Sequence, residues 1–120
     1  MNILSELSSL LTELDVPFEA GHYSGVPPDE YIVIIPLADS FEFAADNLPQ
    51  ADVQEARIAI YSKNNYYPLR SKLTKSLLQK NFVITDRRYI EFEAETKYHH
   101  AAVDVAKSYE FDSDIESEDE

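Results

Sequence analysis

The chain has 120 residues, 23 of them acidic and 10 basic, for a net charge of −13, with no cysteine, no tryptophan and two glycines. That length predicts one domain, which at this size buries roughly two thirds of the unfolded chain's surface around a single core. The lack of cysteine excludes disulfides and thiolate metal sites, and a pI near 4.4 argues against a nucleic-acid binder, whose affinity comes mainly from neutralising phosphates.

No apolar run approaches the ~20 residues that span a bilayer. No basic segment precedes an apolar stretch at the start, so no signal peptide is expected. The expectation is a soluble, intracellular, acidic domain. About half of the net charge lies in residues 110–120, which carry seven carboxylates and no base. A run that repels itself and buries nothing predicts a disordered tail over Asp112–Glu120, behind a single domain over residues 1–111.

In chain order, Ile3, Leu4, Leu7, Leu10, Leu11 and Leu14 form one helical stripe, with Asn2 as N-cap and Glu6 near the first turn. Asp15-Val16-Pro17 ends that helix. A short strand is expected over Phe18–Tyr23, then a turn around Gly25, Pro27 and Pro28. Tyr31–Ile35 reads as a strand covered on both faces, or by the core on one face and a neighbouring subunit on the other, ended by Pro36. Residues 38–51 show no period and predict a long irregular loop. Its Phe41 and Phe43 either fold back onto the core or form an arm that docks on another molecule.

Residues 52–62 alternate, with Ala56, Ile58 and Ile60 on one face and Glu55, Arg57, Ala59 and Tyr61 on the other. A second helix follows over 66–80, its stripe formed by Tyr66, Leu69, Leu73, Leu77 and Leu78, with Pro68 in the first turn. Arg70, Lys72, Lys75 and Lys80 share it with no acid, and a Lys-rich last turn suits the helix dipole. Phe82–Ile84 and Tyr89–Ala94 read as strand, interrupted or bent at Thr85–Arg88. Tyr98–Tyr109 is a long strand, with His99, Ala101, Val103 and Val105 facing one way and His100, Ala102, Asp104 and Ala106 the other. That second, small and apolar face suggests a contact beyond the domain's own helices. The fold class is α+β, a mostly antiparallel sheet of four to five strands with two helices on one face and the acidic tail appended.

Catalytic chemistry is not expected. His99 and His100 face opposite ways on one strand and cannot share an ion, and neither they nor His22 stand at a metal-ligand spacing. No nucleophile motif or glycine-rich phosphate loop is present. Glu91 and Glu93 share a strand face without an evident acid–base partner. Arg87 and Arg88 beside Asp86 either grip a carboxylate or form a local ion pair.

The stretch Gln54–Glu110 resembles a family of small proteins in the head–tail modules of long-tailed phages and prophages, the tail terminator or tail completion proteins. The resemblance lies in RIAIYSK, NNYYPLRSKL and TDRRYIEFEAETKYHHAAVDVAKSYE. It implies an α+β fold, no catalytic residues, no cofactor and a virion location at the head–tail junction, reached from the host cytoplasm. It further implies a ring, usually hexameric, that caps the head-proximal end of the tail tube, stops its growth and joins it to the head connector. DNA then passes through the lumen without specific binding. A closed ring needs two different patches that bind each other. The expected ones are the basic helix at Arg70, Lys72 and Lys75 and the acidic surface at Glu91 and Glu93, with Phe41, Phe43, Arg87 and Arg88 as further contacts. The alternatives are a head-completion protein of the same module and an acidic inhibitor that mimics DNA.

Overall fold

A computed structural model describes residues 2–43 and 48–110. The elements run α1 (Ile3–Glu13), β1 (Phe18–Ala20), β2 (Glu30–Phe43), β3 (Pro49–Ser62), α2 (Tyr67–Gln79), β4 (Val83–Glu93) and β5 (Tyr98–Glu110). One five-stranded sheet has the order β1-β2-β3-β5-β4. Only β1–β2 is parallel; every other pair is antiparallel. The class is α+β, as expected. Residues 112–120, read as a tail, lie outside the described residues.

Both helices pack on one sheet face. Ile3, Leu7, Leu10 and Leu11 of α1 and Leu69, Leu73 and Leu77 of α2 join Ile32, Ile34, Ile58, Ile60, Val103 and Val105 in one buried cluster. The helical stripe and the strand alternation thus meet in a single core. Leu78, read as part of the stripe, is 58% exposed, because it follows Leu77 by one residue, about 100° of helix rotation off the buried 69–73–77 row.

Each helix end has a chemical cause. At the start of α1, the Asn2 side chain accepts from the Ser5 N–H at 2.8 Å and Ser5 Oγ accepts from the Asn2 N–H, a capping box. At the start of α2, Asn65 Oδ1 accepts from the Tyr67 N–H at 3.0 Å. The last turn of α2 holds no base, contrary to expectation; Lys80 is its C-cap. Both helices stop without glycine. Asp15 and Asn81 take φ of 59° and 68°, and the next N–H reaches back to the carbonyl five residues earlier, Val16 to Leu11 and Phe82 to Leu77. Asp and Asn tolerate this left-handed position better than other side chains, which is how so glycine-poor a chain turns.

One expectation is corrected. The strand begun at Tyr31 does not end at Pro36; β2 runs on to Phe43, and the supposed loop over 38–51 is the two arms of a hairpin, apart from residues 44–47, which lie outside the described set. Pro36 is tolerated because it lies past the last residue paired with β1 and beside a bulge at Leu37, where β2 is an edge strand. Of the two readings for Thr85–Arg88, the bend holds: β4 is one continuous strand with register shifts at Thr85 and Ile90.

Beyond the helices, β2, β3 and β5 continue as a three-stranded arm. Every residue from Pro36 to Phe43 is exposed. The molecule is accordingly 52 Å long against 29 and 25 Å in the other directions.

Candidate functional site

The tip of the arm carries Phe41 and Phe43, 49% and 57% exposed, with ring centroids 6.0 Å apart. The bulge at Leu37 sets their direction. Before it, even-numbered residues of β2 face the helices; after it, the phase reverses, so Asp39, Phe41 and Phe43 share the helix side. Neither ring belongs to the core cluster. The surroundings are acidic: residues 37–56 include Asp39, Glu42, Asp52 and Glu55 and no Lys or Arg.

At the other end of the sheet, where β3 runs into α2, an open cleft of about 380 Å³ is lined by Asn64, Asn65, Tyr66, Tyr67, Tyr89 and His99. The Tyr89 hydroxyl hydrogen-bonds His99 Nδ1 at 3.1 Å, fixing that wall. The Arg70 guanidinium lies 4.7 Å over the Tyr67 ring and 5.5 Å over Tyr66. Lys72 and Lys75 are exposed further along α2.

The helix-free face holds the third group. Tyr31 stacks on Tyr61 at 4.9 Å, Tyr61 stacks on His100 at 4.3 Å, and the Tyr98 hydroxyl donates to the Pro28 carbonyl at 2.6 Å, tying the 21–29 segment across this face. Burial, reinforced by Tyr61 and Tyr98, pushes the Tyr31 hydroxyl up to about 12. Further along, Arg57 donates through Nε and Nη2 to both Asp104 oxygens, at 2.8 and 3.0 Å. The expected need for an outside partner here is not met by the geometry. Ala59 and Ala102, directly paired, are each 1% exposed within the single chain, flanked by Arg57, Tyr61, His100 and Asp104.

Glu91 and Glu93 also lie on this face, opposite His100 and Tyr98. A ring nitrogen of His100 and one carboxylate oxygen from each glutamate lie within 4.8 Å of one another. His100 Nε2 is buried with no hydrogen-bond partner among the described residues. Burial lowers the His100 pKa, opposed by Glu93 and Glu91. Two carboxylates and an imidazole are a donor set that suits a divalent cation of the zinc or manganese type. Sequence reasoning set His100 aside because its neighbours in sequence face away from it. The missing information was cross-strand register: a four-residue turn over 94–97 pairs residue 93 with 98 and therefore 91 with 100.

The expected interface residues do not form one site. Arg70, Lys72 and Lys75 sit on α2, whereas Glu91 and Glu93 lie on the opposite sheet face. Arg87 and Arg88 are adjacent on a strand and diverge: Arg88 pairs locally with Asp86 at 2.6 Å, and Arg87 projects to the helix side. They therefore cannot grip one carboxylate together. The cleft tyrosines Tyr67 and Tyr89 went unnoticed, since each reads as ordinary strand or helix surface until α2 and β4 are brought together.

No protein-family model matches the chain, and no curated protein is significantly similar to it. No helix among the described residues is long and apolar enough to cross a membrane.

Proposed function

We propose that this protein is a virion assembly component, a tail terminator whose copies form a ring at the head-proximal end of a phage tail tube and join it to the head connector. The observation that supports an assembly role is the arm. Three strands project past the helices and carry Phe41 and Phe43, each about half exposed, side by side on one face. The narrower reading rests on the resemblance of residues 54–110 to that family. A net negative surface also suits a conduit through which DNA slides without sticking.

The neighbouring role of a head-completion protein shares every one of these features, and phenotype separates the two. A terminator stops tube growth, so deleting its gene leaves overlong, headless tubes in electron micrographs of the lysate. A head-completion defect leaves tails of normal length beside unjoined heads, and that outcome overturns the terminator reading. The DNA-mimic reading has less support. Several acids of the described residues are occupied internally, Asp104 by Arg57, Glu6 by Lys107 and Asp86 by Arg88.

A further inference from the structure

We propose that Glu91, Glu93 and His100, on the helix-free face where β4 pairs with β5, form a binding site for a divalent transition-metal cation of the zinc type. The proposal is independent of the assembly reading: the site stands or falls whatever the copies build.

Three observations carry it. The first is the donor set itself. One carboxylate oxygen from each glutamate and a ring nitrogen of His100 lie within 4.8 Å of one another. Donors on one tetrahedral zinc lie roughly 3.4 Å apart, given bonds of about 2.1 Å. The remaining gap is within the rotation of the Glu91 side chain, which is exposed. Glu93 Oε1 accepts from the Thr96 hydroxyl at 2.8 Å, which orients that carboxylate and leaves its other oxygen for an ion.

The second is that no other described residue balances these groups. His100 Nε2 is buried without a hydrogen-bond partner among the described residues, a cost that coordination to a cation removes. Neither Glu91 nor Glu93 makes an ion pair among the described residues. Two bases that reach this face are held by other acids, Arg57 by Asp104 at 2.8 Å and Lys63, whose ammonium lies over the Tyr98 ring, by Asp29 at 3.9 Å. Two carboxylates held this close repel each other, and a cation between them relieves the repulsion.

The third is how the backbone delivers the ligands. β4 pairs Tyr89 with Ala101 on the helix side, and the register shift at Ile90 then sets Glu91 opposite His100. In an unbroken register Ile90 would hold that place and Glu91 would face the helices, so the bulge re-aims Glu91 onto the face of Glu93 and His100. The His100 ring is fixed by stacking on Tyr61 at 4.3 Å. Glu93 also lines an open cavity of about 300 Å³ with His22, Tyr31 and Tyr61, which gives an ion a path from solvent. The chemistry selects the class of ion. Magnesium and calcium take oxygen donors, whereas an imidazole with two carboxylates suits zinc, which such a site binds more tightly than manganese.

The test titrates Zn²⁺ into the full chain, first stripped of metal with a chelator, by calorimetry, and follows the rings of His22, His99 and His100 by NMR. Wild type is expected to bind one Zn²⁺ per chain in the saturable phase, with the His100 signal shifting and those of His22 and His99 staying in place. The variants are Glu91→Gln, Glu93→Gln and His100→Phe, the last of which keeps a ring to stack on Tyr61. Thermal melting checks that each folds, and the exposed position of Glu91 keeps the test decisive should His100→Phe fail to fold. Losing an outer-shell partner weakens a metal site about 10–100-fold, so losing a ligand is expected to weaken Zn²⁺ binding by roughly a hundredfold. Asp39→Asn, an exposed acid on the arm, is expected to bind as wild type does. Mg²⁺ in large excess is expected not to displace Zn²⁺. Uptake that never saturates or moves no histidine ring overturns the proposal, as does a shift at His22 or His99 in place of His100. Affinity unchanged in Glu91→Gln, or displacement by Mg²⁺, overturns it too and marks a diffuse acidic surface.

Discussion

The base of the sheet and the arm are made from the same three strands, β2, β3 and β5, yet they obey different rules. At the base every second residue is buried under α1 and α2, and side-chain identity fixes stability. In the arm β2 is exposed on both faces while β3 is only half-buried, and the backbone ladder with its cross-strand neighbours maintains the shape. The comparison teaches that an exposed aromatic on a regular, well-paired strand calls for a different explanation from one in a loop.

The largest effect expected from breaking this contrast is in the core. Leu73, fully buried, touches the centre of the cluster, and Leu73→Ala should cost about 3 kcal/mol in chemical denaturation. Next comes the joint between the two regions. Lys107 of β5 donates to Glu6 of α1 at 2.6 Å and to the Lys80 carbonyl at the end of α2 at 2.7 Å, and Tyr109 also donates to Glu6 at 2.7 Å. A fully buried pair broken on one side loses roughly 3–5 kcal/mol. These side chains keep 19% and 22% of their surface, so Lys107→Met should lose about 2 kcal/mol in the same assay.

That joint also predicts a pH dependence. Burial pushes the Glu6 carboxyl up, but the hydrogen bonds from Lys107 and Tyr109 outweigh it and hold the group below its usual 4.5. A depressed carboxyl stabilises the fold above its unfolded pKa and loses that contribution as pH falls through its folded one. Melting temperature should therefore drop below pH 4.5 more steeply in wild type than in Glu6→Gln. An equal slope in both would remove Glu6 from the account.

A smaller effect is expected at the end of α2. Asn81 sits at φ 68°, so Asn81→Ala should cost about 1 kcal/mol while Asn81→Gly costs nothing or stabilises. Least of all, Phe41→Ser with Phe43→Ser should change monomer stability by less than about 0.5 kcal/mol. If that double variant instead melts as far below wild type as Leu73→Ala, the arm is part of the core in energetic terms and the comparison fails.

The same division explains what could be read in advance. The Ile3–Leu14 stripe, the alternation of Ala56, Ile58 and Ile60 and the two faces of Tyr98–Tyr109 all follow from burial on one side, which writes a period into the residues. In the arm β2 has no buried side, so nothing imposes a period on Ala38–Phe43, and the bulge at Leu37 reverses what little phase there is. Pro36 then reads as a terminus because a sequence does not reveal which strand is an edge. Leu78 was miscounted for a related reason, as the 69–73–77 row suffices to fill the space under α2.

By itself, then, the sequence determined the α+β class, the two helices and their packing face, and the strands of the base, because each is dictated by local spacing and by the drive to bury apolar surface. Only the tertiary structure decided the arm, the cleft between α2 and β4, and the meeting of Glu91 and Glu93 with His100. Those depend on register and on which strand lies at an edge, and both are set by pairing between residues far apart in the chain, which leaves no local mark.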